Sequence, residues 1–112
     1  MKVVVTYLEL NSPWRFFVLA NYSRKIIQQL RKTNCVKYKS RGFWTKHYTM
    51  SLWNTEEEMK TFAREGAHKI AMQSSRKVAR EIRIHAYDAD ALPDWKTAKS
   101  QLMKEGKVYR FE

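Results

Sequence analysis

The stretch that decides the fold reads YTMSLWNTEEEMKTFAREGAH and runs from Tyr48 to His68. Its first part, Tyr48–Trp53, alternates in hydrophobicity with the period of two that is typical of a β-strand. Thr55 and Glu58 then have the spacing of a capping box, which predicts that a helix begins here with acidic residues at the positive end of its dipole. His68 follows just past the glycine at which we expect this helix to break.

The segments on either side complete an alternating order of strands and helices. Lys2–Leu10 is predicted to be a strand with apolar residues on both faces, and Ser12 followed by proline predicts the start of a helix that ends near Asn34. The second helix is predicted to resume after its break and to continue to about Glu81. The remaining predicted elements are strands at Cys35–Gly42, Trp44–Trp53 and Ile82–Tyr87, a helix from Asp94 to Gly106, and a small strand at Val108–Phe111.

This order predicts an α+β protein with the ferredoxin-like β-α-β-β-α-β arrangement. We expect a single domain over residues 1–112, with a core at 2–88 and a C-terminal helical appendage at 89–112. Two helices would cover one face of the sheet and leave the other bare, and aromatic side chains on a bare face favour burial against a second copy. The residues that we expect on that face, besides one side of the first strand, are Trp53, Tyr87, His47, Thr49, Ser51, Arg83 and His85.

Composition excludes several classes of protein. Hydrophobic residues make up 44% of the chain, which is typical of a folded protein, and no apolar run approaches the roughly 20 residues that span a bilayer. The N-terminus has no pattern of a secretory signal, and Cys35 is the only cysteine, so we expect a cytoplasmic protein without disulfides. Cys35 is interpreted as a small buried hydrophobe.

The net charge of +11 indicates an attraction to anionic partners. The positive residues are spread along the whole chain, which favours solvated helix and strand faces over a dedicated interface for nucleic acid. Lys37, Lys39 and Arg41 alternate on one predicted strand face, where they would either hold an anionic group or line an exposed sheet edge. RNA binding on a sheet with aromatic residues remains an alternative, although Arg41–Trp44 only weakly resembles the signature of RNA-recognition domains.

The segment Tyr48–His68 resembles the dimeric α+β barrel superfamily, which includes antibiotic-biosynthesis and haem-degrading monooxygenases, and most closely its spheroidene-monooxygenase-like bacterial members. The resemblance implies a homodimer that binds an apolar ligand between helices and sheet and oxidises it. In haem-degrading members the matching histidine is the axial iron ligand, which here would be His68. Their asparagine on the first strand has no counterpart, because Thr6 and Tyr7 stand there, so haem cleavage itself is not implied.

The sequence thus predicts a site around His68, as iron ligand or as acid or base, with either haem or no cofactor. A small apolar ligand, aromatic, conjugated or haem-like, would be enclosed by Trp53, Phe62, Phe17, Met59 and Met72, with Trp14 and Phe16 as further candidate walls. Other metal sites are not expected, because no two histidines have ligand spacing on a helix. A non-catalytic ligand-binding or sensing dimer with the same pocket is the main alternative, and His47 and His85 are expected to bond across strands.

Overall fold

The computed structural model describes residues 1–64 and 78–110, and these form an antiparallel sheet with helices on both faces. The strands are β1 (Lys2–Leu10), β2 (Lys37–Phe43), β3 (Lys46–Trp53), β4 (Ala79–Asp88) and β5 (Lys107–Arg110). The helices are α1 (Phe16–Leu30), which follows a single 3-10 turn at Pro13–Arg15, then α2 (Glu56–Arg64) and α3 (Trp95–Glu105). The strand order β2-β3-β1-β4-β5 is that of the expected ferredoxin-like fold with one added edge strand.

The predicted capping residues are confirmed, although Ser12 caps the 3-10 turn and α1 itself begins three residues later than predicted, at Phe16. Ser12 Oγ accepts a hydrogen bond from the Trp14 amide at 3.4 Å ahead of α1, and Thr55 Oγ1 accepts one from the Glu58 amide at 3.2 Å at the start of α2. Asp94 Oδ1 likewise accepts from the Thr97 amide at 2.7 Å. These side chains satisfy amide groups that a helix leaves without partners in its first turn.

Strand β1 lies at the centre of the sheet and fixes which side chains share a face. Val3, Val5 and Tyr7 stand opposite Leu52, Met50 and Tyr48 of β3, and opposite Tyr87, His85 and Arg83 of β4. We call this the α3 face. The opposite surface, the α1 face, carries Val4, Thr6, Leu8, His47, Thr49, Ser51, Trp53, Ile82, Ile84 and Ala86.

The α3 face is covered by the C-terminal helix of the same chain. Ala98 and Leu102 of α3 are fully buried against Val3, Val5, Met50 and Leu52, and Trp95 packs at the edge of the cluster. The helix is also held at its flanks, since Lys99 Nζ lies 4.7 Å from the centre of the Tyr48 ring and Glu105 Oε2 lies 3.3 Å from His85 Nε2. The appendage is therefore part of the core.

The expectation of a bare sheet face is wrong for this reason. The grouping of Trp53 with Tyr87 is wrong as well, because the register places these two side chains on opposite faces. Trp53, His47, Thr49 and Ser51 lie on the α1 face, beneath α1 and α2. Arg83, His85 and Tyr87 lie on the α3 face.

Three predicted boundaries also shift. Helix α1 ends at Leu30, where the Thr33 hydroxyl donates a hydrogen bond of 2.6 Å to the Leu30 carbonyl. Strand β2 begins at Lys37, after Cys35 and Val36. Strand β4 begins at Ala79, within the stretch predicted to be helical, because Glu81 is held between Arg83 and Arg110 of the sheet at 2.9 and 3.0 Å.

We predict that Leu102→Ala lowers the free energy of unfolding by about 2–4 kcal/mol, because it leaves a cavity under α3 in the main core. Met103→Ala is the matched control, since its side chain is 65% exposed on the same helix, and it should change stability by less than about 0.5 kcal/mol. Guanidinium unfolding measures both. Equal effects would show that α3 does not pack on the sheet as described.

Candidate functional site

Two adjoining clefts open on the α1 face, where α1 passes over the hairpin of β2 and β3. The first, about 510 Å³, runs along α1 and is called the helix cleft. The second, about 530 Å³, lies at the hairpin turn and is called the hairpin cleft. Phe16 and His47 line both, so the two clefts form one groove, which we call the α1 groove.

The helix cleft is formed by one side of α1. Its lining residues recur at three- and four-residue steps, so they share a face of the helix, and the face combines apolar side chains with two arginines. They are Phe16, Leu19, Ala20, Ser23, Arg24, Ile27, Gln28 and Arg31, with His47 contributed by β3.

The hairpin cleft is surrounded by aromatic rings that remain open to water. Trp14 is 80% exposed, Phe17 72%, Trp44 69% and Phe16 46%. Large aromatic side chains contribute strongly to binding when they are buried by a ligand, and a cluster of exposed ones marks an interaction site. Pro13, Gly42 and His47 complete the lining.

Trp44 owes its exposed position to the turn between β2 and β3. Its backbone has a φ of 56°, in the left-handed region that a bulky residue rarely adopts. Thr45, next in the chain, accepts a hydrogen bond of 2.7 Å from the Leu10 amide, which anchors the turn to the end of β1. Strained backbone of this kind is concentrated at functional sites.

His47 is the central polar group of the groove. Its ring stacks on Phe16 with the ring centres 5.9 Å apart, and its Nε2 lies 3.1 Å from the Trp44 carbonyl oxygen. A carbonyl only accepts, so Nε2 carries the proton in the neutral ring and Nδ1 keeps a lone pair. Nδ1 lies over Gly42, where a Cβ would come within 2.3 Å of it, so the glycine makes room for the imidazole.

Burial lowers the pKa of His47 from its ordinary value of 6.5, and the hydrogen bond with the Trp44 carbonyl offsets part of this effect. The imidazole is therefore neutral at neutral pH, and the Nδ1 lone pair can accept a hydrogen bond or a proton. The groove thus offers flat apolar surfaces together with one weak base.

The predicted pocket residues divide between two places. Phe17 lines the hairpin cleft. Trp53 is buried at the other end of β3, six residues or about 20 Å from His47, and its Nε1 donates to Ser51 Oγ at 2.9 Å. Its ring centre lies 5.2 Å from that of Phe62, which is half-buried on α2 as Met59 is. His68 and Met72 lie outside the described residues.

Three other titratable groups, those of His85, Glu81 and Cys35, make contacts within the fold and do not line the α1 groove. His85 stacks on Tyr87 at 5.2 Å between ring centres on the α3 face, away from the groove. Hydrogen bonds from Arg83 and from Arg110 lower the pKa of Glu81. Because Arg110 lies on β5, its bond with Glu81 ties β5 to β4. Cys35 is half-buried with its Sγ 3.3 Å from the Lys37 carbonyl oxygen, and burial raises the pKa of the thiol.

Sequence reasoning missed His47 as a groove residue and Trp44 as its partner. A single sequence indicates that both lie in or near a hairpin, but it does not reveal which face of the sheet α1 covers. The visible signal was the density of aromatic residues at Trp14, Phe16 and Phe17, directly after the helix start.

The described residues include no cluster of histidine, cysteine or carboxylate side chains that could hold a metal ion. In the α1 groove, the Trp44 carbonyl already occupies Nε2 of His47, so this nitrogen is not free to ligate a haem iron. Haem ligation by His68 stays a prediction. None of the helices in the described segments is long and apolar enough to cross a membrane.

Comparison with solved structures confirms the fold. A conserved protein from Methanosarcina mazei Go1 has a TM-score of 0.71 at 16% identity, over 80% of this chain and 92% of that one. A Deinococcus radiodurans protein, provisionally described as an antibiotic biosynthesis monooxygenase, has a TM-score of 0.69 at 15% identity, over 84% and 97% of the two chains. A structure described as an antibiotic biosynthesis monooxygenase has a TM-score of 0.70 at 12% identity, over 83% and 100%.

No protein-family profile and no curated protein matches the sequence. The likeness to the solved structures therefore establishes an α+β fold of the antibiotic biosynthesis monooxygenase type.

We predict that His47 makes stability depend on pH. The native ring has the lower pKa, so the unfolded chain binds the proton first as the pH falls through about 6.5, and the native state loses stability there. The wild-type protein should therefore lose more free energy of unfolding than His47→Gln between about pH 7 and pH 5. Guanidinium unfolding over this range measures the difference, and parallel curves would contradict the buried, neutral imidazole.

Proposed function

We propose that this chain binds a flat, apolar aromatic or conjugated molecule in the α1 groove, between the first helix and the sheet. The observation that carries the proposal is the group of exposed rings around the hairpin cleft, Trp14, Phe16, Phe17 and Trp44, next to a stacked imidazole. A flat ligand that stacked on these rings would remove their apolar surface from water, which favours binding.

His47 gives this site its orientation and its reactivity. Nδ1 can accept a hydrogen bond from a hydroxyl group of the ligand, because Nε2 already donates to the Trp44 carbonyl. A phenol or quinol held in this way would have its proton next to a neutral base. Proton removal makes such a ring electron-rich and easier to oxidise.

Oxidation of the bound ligand is the activity that the described solved structures of the same fold suggest. In the cofactor-free form of this reaction the ligand supplies the electrons that reduce oxygen, and His47 would take up the hydroxyl proton. A binding or sensing protein without turnover is the alternative. Oxygen uptake with a naphthoquinol, compared between wild type and His47→Gln, separates the two.

The homodimer and the cytoplasmic location stay predictions. Because α3 covers the sheet face on which two copies were expected to meet, a face-to-face dimer would have to form over α3 or with that helix displaced. The ligand site proposed here is lined by residues of α1, of the turn before it and of the hairpin.

We predict that Phe16→Ala weakens the binding of pyrenebutanol, a neutral aromatic probe, by about fivefold, because the variant removes the ring that lines both clefts. Fluorescence anisotropy of the pyrene measures the affinity. Tyr109→Ala is the matched control, since its ring is 40% exposed against 46% for Phe16 but lies on β5, and it should leave binding unchanged. No binding, or equal loss in both variants, would contradict the site.

A further inference from the structure

The helix cleft carries two guanidinium groups among its apolar walls. Arg24 follows Phe16 by eight residues, or about 12 Å along α1, and Arg31 follows Arg24 by seven residues, or about 10 Å. Both belong to the same face of the helix as Leu19 and Ile27. A ligand that stacks at Phe16 and extends along α1 would reach Arg24 first.

Neither arginine is neutralised within the described part of the chain. The lining of the helix cleft contains no carboxylate, and the ion pairs of the described residues involve neither Arg24 nor Arg31. Among residues 1–64 and 78–110, Arg24 Nη2 donates a 3.3 Å hydrogen bond to the neutral side chain of Asn21. The charge of the cleft is therefore open to an anion from outside.

The helix dipole accounts for the position of one of the two arginines but not for that of the other. Arg31 caps the C-terminal end of α1, where the helix dipole by itself favours a cation. Arg24 lies in the middle of the helix, where the dipole gives no such preference. Arg24 is therefore the residue whose position points most directly to a ligand.

We propose that the ligand is an aromatic acid, whose ring system binds at Phe16 and His47 and whose carboxylate, sulfonate or phosphate group is held by Arg24 and Arg31. This inference rests on the proposed function and adds the chemical class of the ligand. Guanidinium groups bind such anions with paired, charge-assisted hydrogen bonds. The apolar stretch between ring and arginines fits a short linker between the aromatic body and the acid.

Two probes that differ only in this group test the inference. Pyrenebutyrate ends in a carboxylate and pyrenebutanol in a neutral hydroxyl, so a preference for the acid measures the contribution of the arginines. We expect the wild type to bind pyrenebutyrate about tenfold more tightly, and Arg24→Gln to remove most of that preference while changing pyrenebutanol less than about twofold. Arg31→Gln should reduce it further.

Lys25→Gln is the matched control, because Lys25 is the next residue of α1, is exposed, does not line the cleft and carries the same charge. It should keep the preference for the acid. Equal loss in Arg24→Gln and Lys25→Gln would show a general effect of net charge and overturn the inference.

The outcomes separate the inference from the proposed function. If both probes bind with equal affinity and Phe16→Ala weakens both, the aromatic site stands and the acid-binding role of the arginines is overturned. If neither probe binds, or if Phe16→Ala affects neither, the proposed function fails and the inference fails with it. A preference for the acid that depends on both Phe16 and Arg24 supports the two together.

Discussion

The antiparallel register of β1 with its two neighbours is the constraint on which the rest of the structure depends. Side chains alternate between the two faces of a sheet. The pairing of Val3 with Leu52 and Tyr87 therefore decides on which face each residue of β1, β3 and β4 lies. A slip of β1 by one residue would send the buried valines to the α1 face, and a slip of β3 would instead remove His47 from that face. The hydrophobic contacts of α3 with Val3 and Val5 stabilise this register, since they form only when the two valines lie on the α3 face.

The two faces of the sheet consequently have different roles. The α3 face provides a packed core within one chain, with Met50, Ala98 and Leu102 all buried. The α1 face is packed at the Trp53 end of β3, where that ring meets Phe62, and open at the His47 end, where the hairpin cleft lies. Because only one end of β3 is packed on the α1 face, this small domain keeps a stable core and still exposes several large aromatic rings at the other end.

Much of the fold could be predicted from the sequence, because local signals agree with the final structure. The caps at Ser12, Thr55 and Asp94 and the alternation of the strands gave the element order and the fold class. The start of β4 could not be predicted, because Arg80 and Glu81 are good helix formers, whereas pairing with β1 and β5 and the ion pair of Glu81 with Arg110 favour the strand. The face of Trp53 could not be predicted either, since cross-strand register is not encoded in a single strand.

The candidate site was harder to predict than the fold for the same reason. The aromatic walls at Phe16 and Phe17 could be found from their density in the sequence. The polar centre at His47 depends on which helix covers which face, and on a glycine that makes room for the ring at the opposite position of β2. The sequence directed attention to His68, which lies outside the described residues.

The central claim is that a ligand binds at the His47 end of the α1 face and not at its Trp53 end. The most direct measurement is a titration of isotopically labelled protein with naphthol, followed by the chemical shifts of backbone amides and of the histidine ring. The account predicts that the largest shifts fall on Phe16, Gly42, Trp44 and His47, with Trp53 and Phe62 nearly unchanged. Shifts centred on Trp53 and Phe62, with His47 unaffected, would contradict it.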